Sequence, residues 1–293
     1  MLVLAHLSDL HIATTPRLSD LMSKRGLGFI NWQRKRKFIH RPEVLDAITH
    51  DVKLYGADHI AVTGDLVNLS LPDEYARSRT WLETLGPPDS VTVVPGNHDI
   101  YVRSARRAAE NAWKDYMRAD SPGGPVAFPF LRQRGNVALI GLSSAVATGP
   151  FMATGTLHRR QLDEFAAMLQ QTEGRFRVVL IHHPPASPPR RYLRRLTDAA
   201  ALRAVLAEHG AELLIHGHDH RRALILLDGP NGTKIPAVGV PSASALQRHG
   251  DEDAAGYNVF RIDGAPGAWR CELIARQREA DRAIRDAARQ MLQ

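Results

Sequence analysis

The feature that most restricts this chain is a series of short apolar runs, each closed at its carboxyl end by a polar cluster. Residues 2–7 lead into Asp9-Leu10-His11, 60–63 into Gly64-Asp65 and 91–94 into Gly96-Asn97-His98-Asp99. Further on, 178–181 lead into His182-His183-Pro184-Pro185 and 212–215 into Gly217-His218-Asp219-His220, and residues 137–142 form one more apolar run. Runs this short, bounded by turn-forming residues, read as buried strands.

Between them, residues 42–55, 72–85, 103–119, 156–171 and 197–209 have helix-like composition, several with Pro or Thr near the start. Strands alternating with helices predict an α/β sheet with helices on both faces. Beyond residue 220 the strand candidates crowd together, at 223–227, 233–240, 257–262 and 268–274, and predict a second sheet packed on the first. Residues 276–292 combine high helix propensity with apolar Ala280, Ala283, Ile284, Ala287, Ala288 and Met291. They predict a terminal amphipathic helix, 276–293, after a single domain over 1–275.

The clusters carry chemistry because the strands of an α/β sheet present their carboxyl ends along one edge, where residues from Asp9 to His220 can converge. Asp9 and His11, two apart on extended chain, point to the same side. The assembled donors are Asp, Asn and His; the one cysteine, Cys271, adds no thiolate cluster, permits no intramolecular disulfide and is expected to be buried. Mixed oxygen and imidazole donors suit Mn, Fe, Zn, Co or Ni. They are too many for one four-coordinate ion and suit two, bridged by a carboxylate at about 3.5–4 Å, an arrangement fitted to hydrolysing phosphate esters. His182 and His183 are adjacent, and His216, His218 and His220 alternate on one run, so the residues alone leave a choice within each group.

In this order the five clusters resemble the five motifs of the calcineurin-like metallophosphoesterases. The resemblance implies a two-sheet α/β sandwich flanked by helices. It assigns Asp9, His11 and His220 to one divalent ion, Asn97, His182 and His218 to a second, and Asp65 to both. The family pattern His-x-Pro selects His182, and Gly-His-x-His selects His218 and His220, leaving His183 and His216 in support. His98, beside a ligand, is expected as general acid, with Asn97 as a further donor and Asp99 orienting the imidazole. Asn68 is expected to tie loops together. Arg190, Arg191 and Arg194, after the fifth run, are candidates to bind substrate phosphate.

The expected reaction is hydrolysis of a phosphodiester, of the cyclic-nucleotide or glycerophosphodiester type, by a hydroxide generated at the two ions. The alternative enzyme is a pyrophosphatase acting on a nucleotide- or lipid-linked substrate such as UDP-diacylglucosamine, and the non-enzyme alternative is an inactive scaffold of the same fold. A scaffold tends to lose ligands, and here every ligand position is filled. The net charge of +7 points to an anionic partner. Nuclease action has only that charge behind it.

Residues 14–42 are long for a connection from strand to helix, which usually takes about 2–6 residues. They carry Arg17, Lys24, Arg25, Arg34, Lys35, Arg36, Lys37 and Arg41 against the single acid Asp20, interleaved with Leu27, Phe29, Ile30, Trp32 and Phe38 among others. This composition predicts a cap over the substrate that also touches an anionic membrane surface. His6, Asp9 and His11 interrupt the first apolar run, which is therefore read as a strand and not a leader. No apolar stretch is long enough to span a bilayer, and the expected location is cytoplasmic, with peripheral contact at the inner membrane face.

Overall fold

The computed structural model describes residues 1–21, 24–120 and 123–293. Strands β1 Leu2–Leu7, β2 His59–Val62 and β3 Val91–Val93 run parallel in a first sheet. The chain then builds all of a second sheet: β4 Phe130–Arg134, β5 Val137–Gly141, β6 Phe176–Leu180, β7 Leu213–His216, β8 Ala223–Asp228 and β9 Lys234–Gly239, in the order β4-β5-β6-β7-β9-β8. It returns to the first sheet as β10 Gly256–Asp263, β11 Arg270–Arg278 and β12 Ile284–Met291, giving the order β12-β11-β10-β1-β2-β3.

The two sheets pack face to face, and the alternation of side chains along a strand decides which layer each residue enters. Leu4, Val178, Leu180, Leu213, Ile215, Val238 and Phe260 fill the layer between the sheets. Their neighbours Ala5 and Leu7 turn to the opposite face of the first sheet, under α3 Pro42–Tyr55, α4 Pro72–Leu85 and α5 Ala105–Trp113. Val179, Ile181 and Leu214 turn outward from the second, under α6 His158–Gln171 and α7 Ala199–His209. The central strands β2, β3, β5, β6 and β7 are thus buried on both faces, which is why they read as continuous apolar runs. The fold is the expected two-sheet α/β sandwich. Two details differ from expectation: helices cover only the outer face of each sheet, and the strands after residue 220 are shared between the sheets.

The terminal segment corrects the predicted helix. Residues 284–291 form the edge strand β12, paired antiparallel with β11 after a turn in which Arg282 takes φ 70°. Cross-strand pairs Arg276–Asp286 at 2.8 Å and Arg289–Glu272 at 3.8 Å fix the pairing, and Leu292 N–H reaches back to Cys271 O at 2.8 Å. Pairing satisfies an otherwise open edge of β11, and that tertiary gain outweighs the local helix propensity.

The insertion is helical and docked. It comprises α1 Lys24–Asn31, a π-helical turn Trp32–Arg36 and the single turn α2 Lys37–Ile39, and Met22 lies outside the described residues. Gly28 lets α1 press on the domain, since a Cβ there would stand 2.7 Å from both Leu69 Cδ2 and Tyr101 Oη. Several of its basic residues face the protein: Lys24 donates to Thr148 O at 3.1 Å and Arg25 to Ser70 O at 2.6 Å.

Candidate metal centre

The polar clusters converge where the strand-end loops are knitted together by backbone hydrogen bonds. Asp9 N–H donates to Gly64 O at 2.9 Å, His11 N–H to Asp65 O at 3.0 Å, and Gly217 N–H to His182 O at 3.1 Å. Asp9, His11, Asp65, His218 and His220 all take positive φ, between 50° and 70°. Left-handed backbone is unfavourable for residues with a Cβ, and its concentration here indicates a geometry held for function. Gly217 is required for the closeness of the loops, because any Cβ would collide with Ser8 Oγ.

Two sets of donor atoms result. In the first, His220 Nε2 lies 3.2 Å from Asp9 Oδ1 and 3.1 Å from His11 Nε2, which is 3.8 Å from Asp9 Oδ1. In the second, His182 Nε2 lies 3.4 Å from Asp65 Oδ2, 3.2 Å from Asn97 Oδ1 and 3.2 Å from His218 Nδ1. Three of the imidazoles give their other N–H to an oxygen behind them: His182 Nδ1 to Thr63 O at 2.7 Å, His218 Nε2 to Arg194 O at 2.8 Å and His220 Nδ1 to Glu252 Oε2 at 3.1 Å. That leaves their lone pairs pointing inward, the orientation of metal-bound histidine.

Lone pairs and carboxylate oxygens crowded within 3.1–3.8 Å repel unless positive charge lies among them. Asp9 Oδ1 and His11 Nδ1 are buried without a hydrogen-bond partner. Burial lowers the His182 pKa, but Asp65 and Asp9 outweigh it and hold the ring at about 9. His220 is likewise raised to about 9 against burial, by Asp9 and Glu252. The cluster therefore recruits positive charge, as protons or as metal ions. The donors present fit divalent ions, and groups such as Asp65, His182 and His218, with ligand atoms within 4.8 Å of one another, can hold one.

The remaining sequence candidates fall differently. His183 bonds Ser144 Oγ at 2.7 Å through Nδ1, and His216 Nδ1 donates to Gly217 O at 3.1 Å, so neither faces the cluster through that nitrogen. Asn68 supplies the backbone oxygen that receives His98 Nδ1–H at 2.6 Å. His98 Nε2 accepts from Arg36 Nη1 at 2.7 Å, and burial with Arg36 lowers its pKa to about 3. Asp99 does not orient His98: its carboxylate accepts from Val67 N–H at 3.1 Å and Gly96 N–H at 2.8 Å, bracing two loops. Arg190 and Arg191 are both tied to Asp251, and Arg191 also to Asp219. Arg194 alone of the three lines the cleft of about 340 Å³ over the donor atoms.

Three further residues stand at the site, of which Arg36 is expected only as one of many basic residues in the cap and the other two are not expected there. Arg36 lines the cleft, and His40 places its ring 4.4 Å from that of His11 and 5.5 Å from that of His220. Glu252 backs His220. The first two are hidden in a basic insertion whose path no local pattern specifies, and Glu252 lies in an acidic turn resembling any exposed one.

A family model described as calcineurin-like phosphoesterase matches residues 2–222. A probable cyclic nucleotide phosphodiesterase from Synechococcus sp. is 25% identical over 275 residues, covering 93% of this chain and 91% of its own length. A dimetal phosphatase from Danio rerio superposes with a TM-score of 0.57 at 13% identity, over 99% of this chain and 98% of that one. A purple acid phosphatase from yellow lupin seeds gives 0.59 at 12% identity, over 97% of this chain and 52% of that one. At such identities the structural likeness establishes the fold alone. With the family model spanning every one of the converging clusters, the chain belongs to the calcineurin-like phosphoesterases and is a phosphoester hydrolase.

Proposed function

We propose that the enzyme hydrolyses a phosphodiester of the cyclic-nucleotide or glycerophosphodiester type at two divalent ions. Asp9, His11 and His220 would hold one, Asn97, His182 and His218 the other, and Asp65 would serve both. The observation that carries this reading is the set of inward lone pairs, each fixed by an N–H bond on the far side of its ring. The imidazole-rich donor set favours Mn, Fe, Zn, Co or Ni. Ions held there would supply a water of lowered pKa and positive charge to offset the negative charge developing at phosphorus.

The protein's own residues do the rest. Glu252, Thr63 O and Arg194 O fix the imidazole orientations. Asp65 Oδ1 accepts His98 N–H at 2.7 Å and so positions the loop bearing Asn97. His98 keeps its proton on Nδ1 and presents Nε2 as an acceptor, so it acts as general acid only with a proton it has first taken up there. Arg194 has no carboxylate in ion-pair range among the described residues and is placed to meet substrate oxygen.

The relative's printed activity supports the diester. Leu27, Phe151 and Met152 on the cleft wall offer apolar contact to a second ester group, and favour a lipid- or nucleoside-linked pyrophosphate as the second reading. Metal-reconstituted enzyme is expected to cleave bis-aryl phosphates and cyclic nucleotides faster than mono-aryl phosphates. Turnover confined to mono-aryl phosphates or to lipid pyrophosphates would overturn the diester assignment.

We also read the outer face of residues 14–42 as a contact with an anionic membrane. Leu27, Ile30 and Phe38 are exposed there beside exposed Arg34 and Lys37. No helix among the described residues is long and apolar enough to cross a membrane, so the contact read here is a peripheral one. Cosedimentation with anionic vesicles should fall with salt and with Ile30→Ser plus Phe38→Ser; no sedimentation at low salt would refute the contact.

A further inference from the structure

Several buried arginines among the described residues have every donor or the charge answered by the protein, and Arg36 in the insertion does not. Arg177 pairs with Glu212 at 2.9 Å, Arg191 pairs with Asp219 and Asp251, and Arg132 gives its donors to the carbonyls of Pro88, Val91, Asp115 and Arg118. Arg36, half-buried on the cleft wall, has no carboxylate in ion-pair range among the described residues. Only Nη1 is engaged, with His98 Nε2 at 2.7 Å and Asn68 Oδ1 at 3.3 Å, and Nε and Nη2 have no partner among the described residues. A guanidinium stays charged at any working pH, and a desolvated charge without a counterion is costly.

The local backbone is built to hold it there. The turn Trp32–Arg36 is π-helical, a wide and unfavourable turn that concentrates at functional sites. On its amino-terminal side α1 is fastened to the domain by Lys24 and Arg25 and packed through Gly28. On its carboxyl-terminal side Arg41 N–H donates to Ser244 O at 2.9 Å and His40 bonds Ser244 Oγ at 2.9 Å. Arg194 lines the same cleft; Asp65 also lies on its wall but is in ion-pair range of neither arginine among the described residues.

We propose that Arg36 is a substrate-contacting residue, whose guanidinium donates Nε–H or Nη2–H to a non-bridging oxygen of the scissile phosphate; this rests on the phosphoesterase reading above. The insertion then completes the active site as well as covering it. A phosphoryl oxyanion is the ligand because it supplies the missing negative charge and accepts in the planar geometry of a guanidinium.

The test uses the full chain, metal-reconstituted, as wild type, Arg36→Gln and Arg36→Lys. Gln retains a donor toward His98 without the charge, and Lys retains the charge. Bound metal per chain, the competitive inhibition constant of inorganic phosphate and kcat/KM on bis(p-nitrophenyl) phosphate are measured together. Arg36→Gln is expected to weaken phosphate inhibition and to lower kcat/KM each by about 10–100-fold with metal content unchanged. Arg36→Lys is expected to keep most of the phosphate inhibition, and added guanidinium ion to restore part of the Arg36→Gln loss. Phosphate inhibition in Arg36→Gln equal to wild type would overturn the proposal and leave Arg36 a positioning residue for His98. A metal-loaded wild type inert to every phosphoester would instead overturn the parent reading.

Discussion

Asp9, His11, Asp65, His218 and His220 were legible as donors because each closes an apolar run, yet nothing in the sequence announced that all five would sit in left-handed backbone. That conformation comes from knitting loops of different strands through bonds such as Asp9 N–H to Gly64 O, which no local window contains. The role of Asp99 was misread for the same reason: its neighbour in sequence is His98, but its partners in space are Val67 and Gly96. Two expectations belong at this scale. His98→Ala should slow diesters with poor leaving groups by about 10²-fold while sparing activated aryl leaving groups, as read from paired kcat values. Equal losses on both would remove His98 from proton transfer. Second, His182 and His220 are raised to about 9, so without metal both are protonated at neutral pH. Metal ions must displace those protons, so apparent metal affinity should fall as pH drops and calorimetry in buffers of different ionisation heat should show proton release on binding. Affinity independent of pH between 6 and about 9 would contradict the assignment.

At the scale of elements, strands buried on both faces were the most readable, and α3 and α4 were readable from Pro at the first helical position. The strand β4 was missed because its pattern, Phe130-Leu131-Arg132-Gln133-Arg134, carries charge; Arg132 is nonetheless buried, its guanidinium spent on backbone carbonyls. The segment after residue 276 was misread because alanine and arginine favour a helix when isolated, whereas here β11 offers an edge to pair with. This makes β12 a cover for β11 and for buried Cys271, whose thiol burial pushes up to about 12. A chain ending at Arg278 should melt at lower temperature and expose Cys271 to a thiol reagent in native buffer. Unchanged melting with an unreactive Cys271 would show that β12 contributes nothing to the sheet.

On the scale of the whole molecule, the sandwich brings the carboxyl ends of strands from two sheets to one place, β1, β2 and β3 from one and β6 and β7 from the other. Order along the chain made that convergence readable, since five clusters at five strand ends have one economical meeting point. The division of the later strands between sheets was not readable, because it depends on which open edge each strand finds. The insertion was readable in length and charge but not in direction: part of its charge turns inward to the cleft and to the loops around it. The central claim is that these elements exist to hold two ions through a shared Asp65. Elemental analysis of metal-reconstituted wild type and Asp65→Asn, with turnover of a bis-aryl phosphate measured on the same samples, tests it most directly. The account predicts two divalent ions per chain in wild type, and fewer in Asp65→Asn with turnover down by at least about 10²-fold. Near-normal turnover in Asp65→Asn, or full wild-type turnover with a single ion bound, would contradict it.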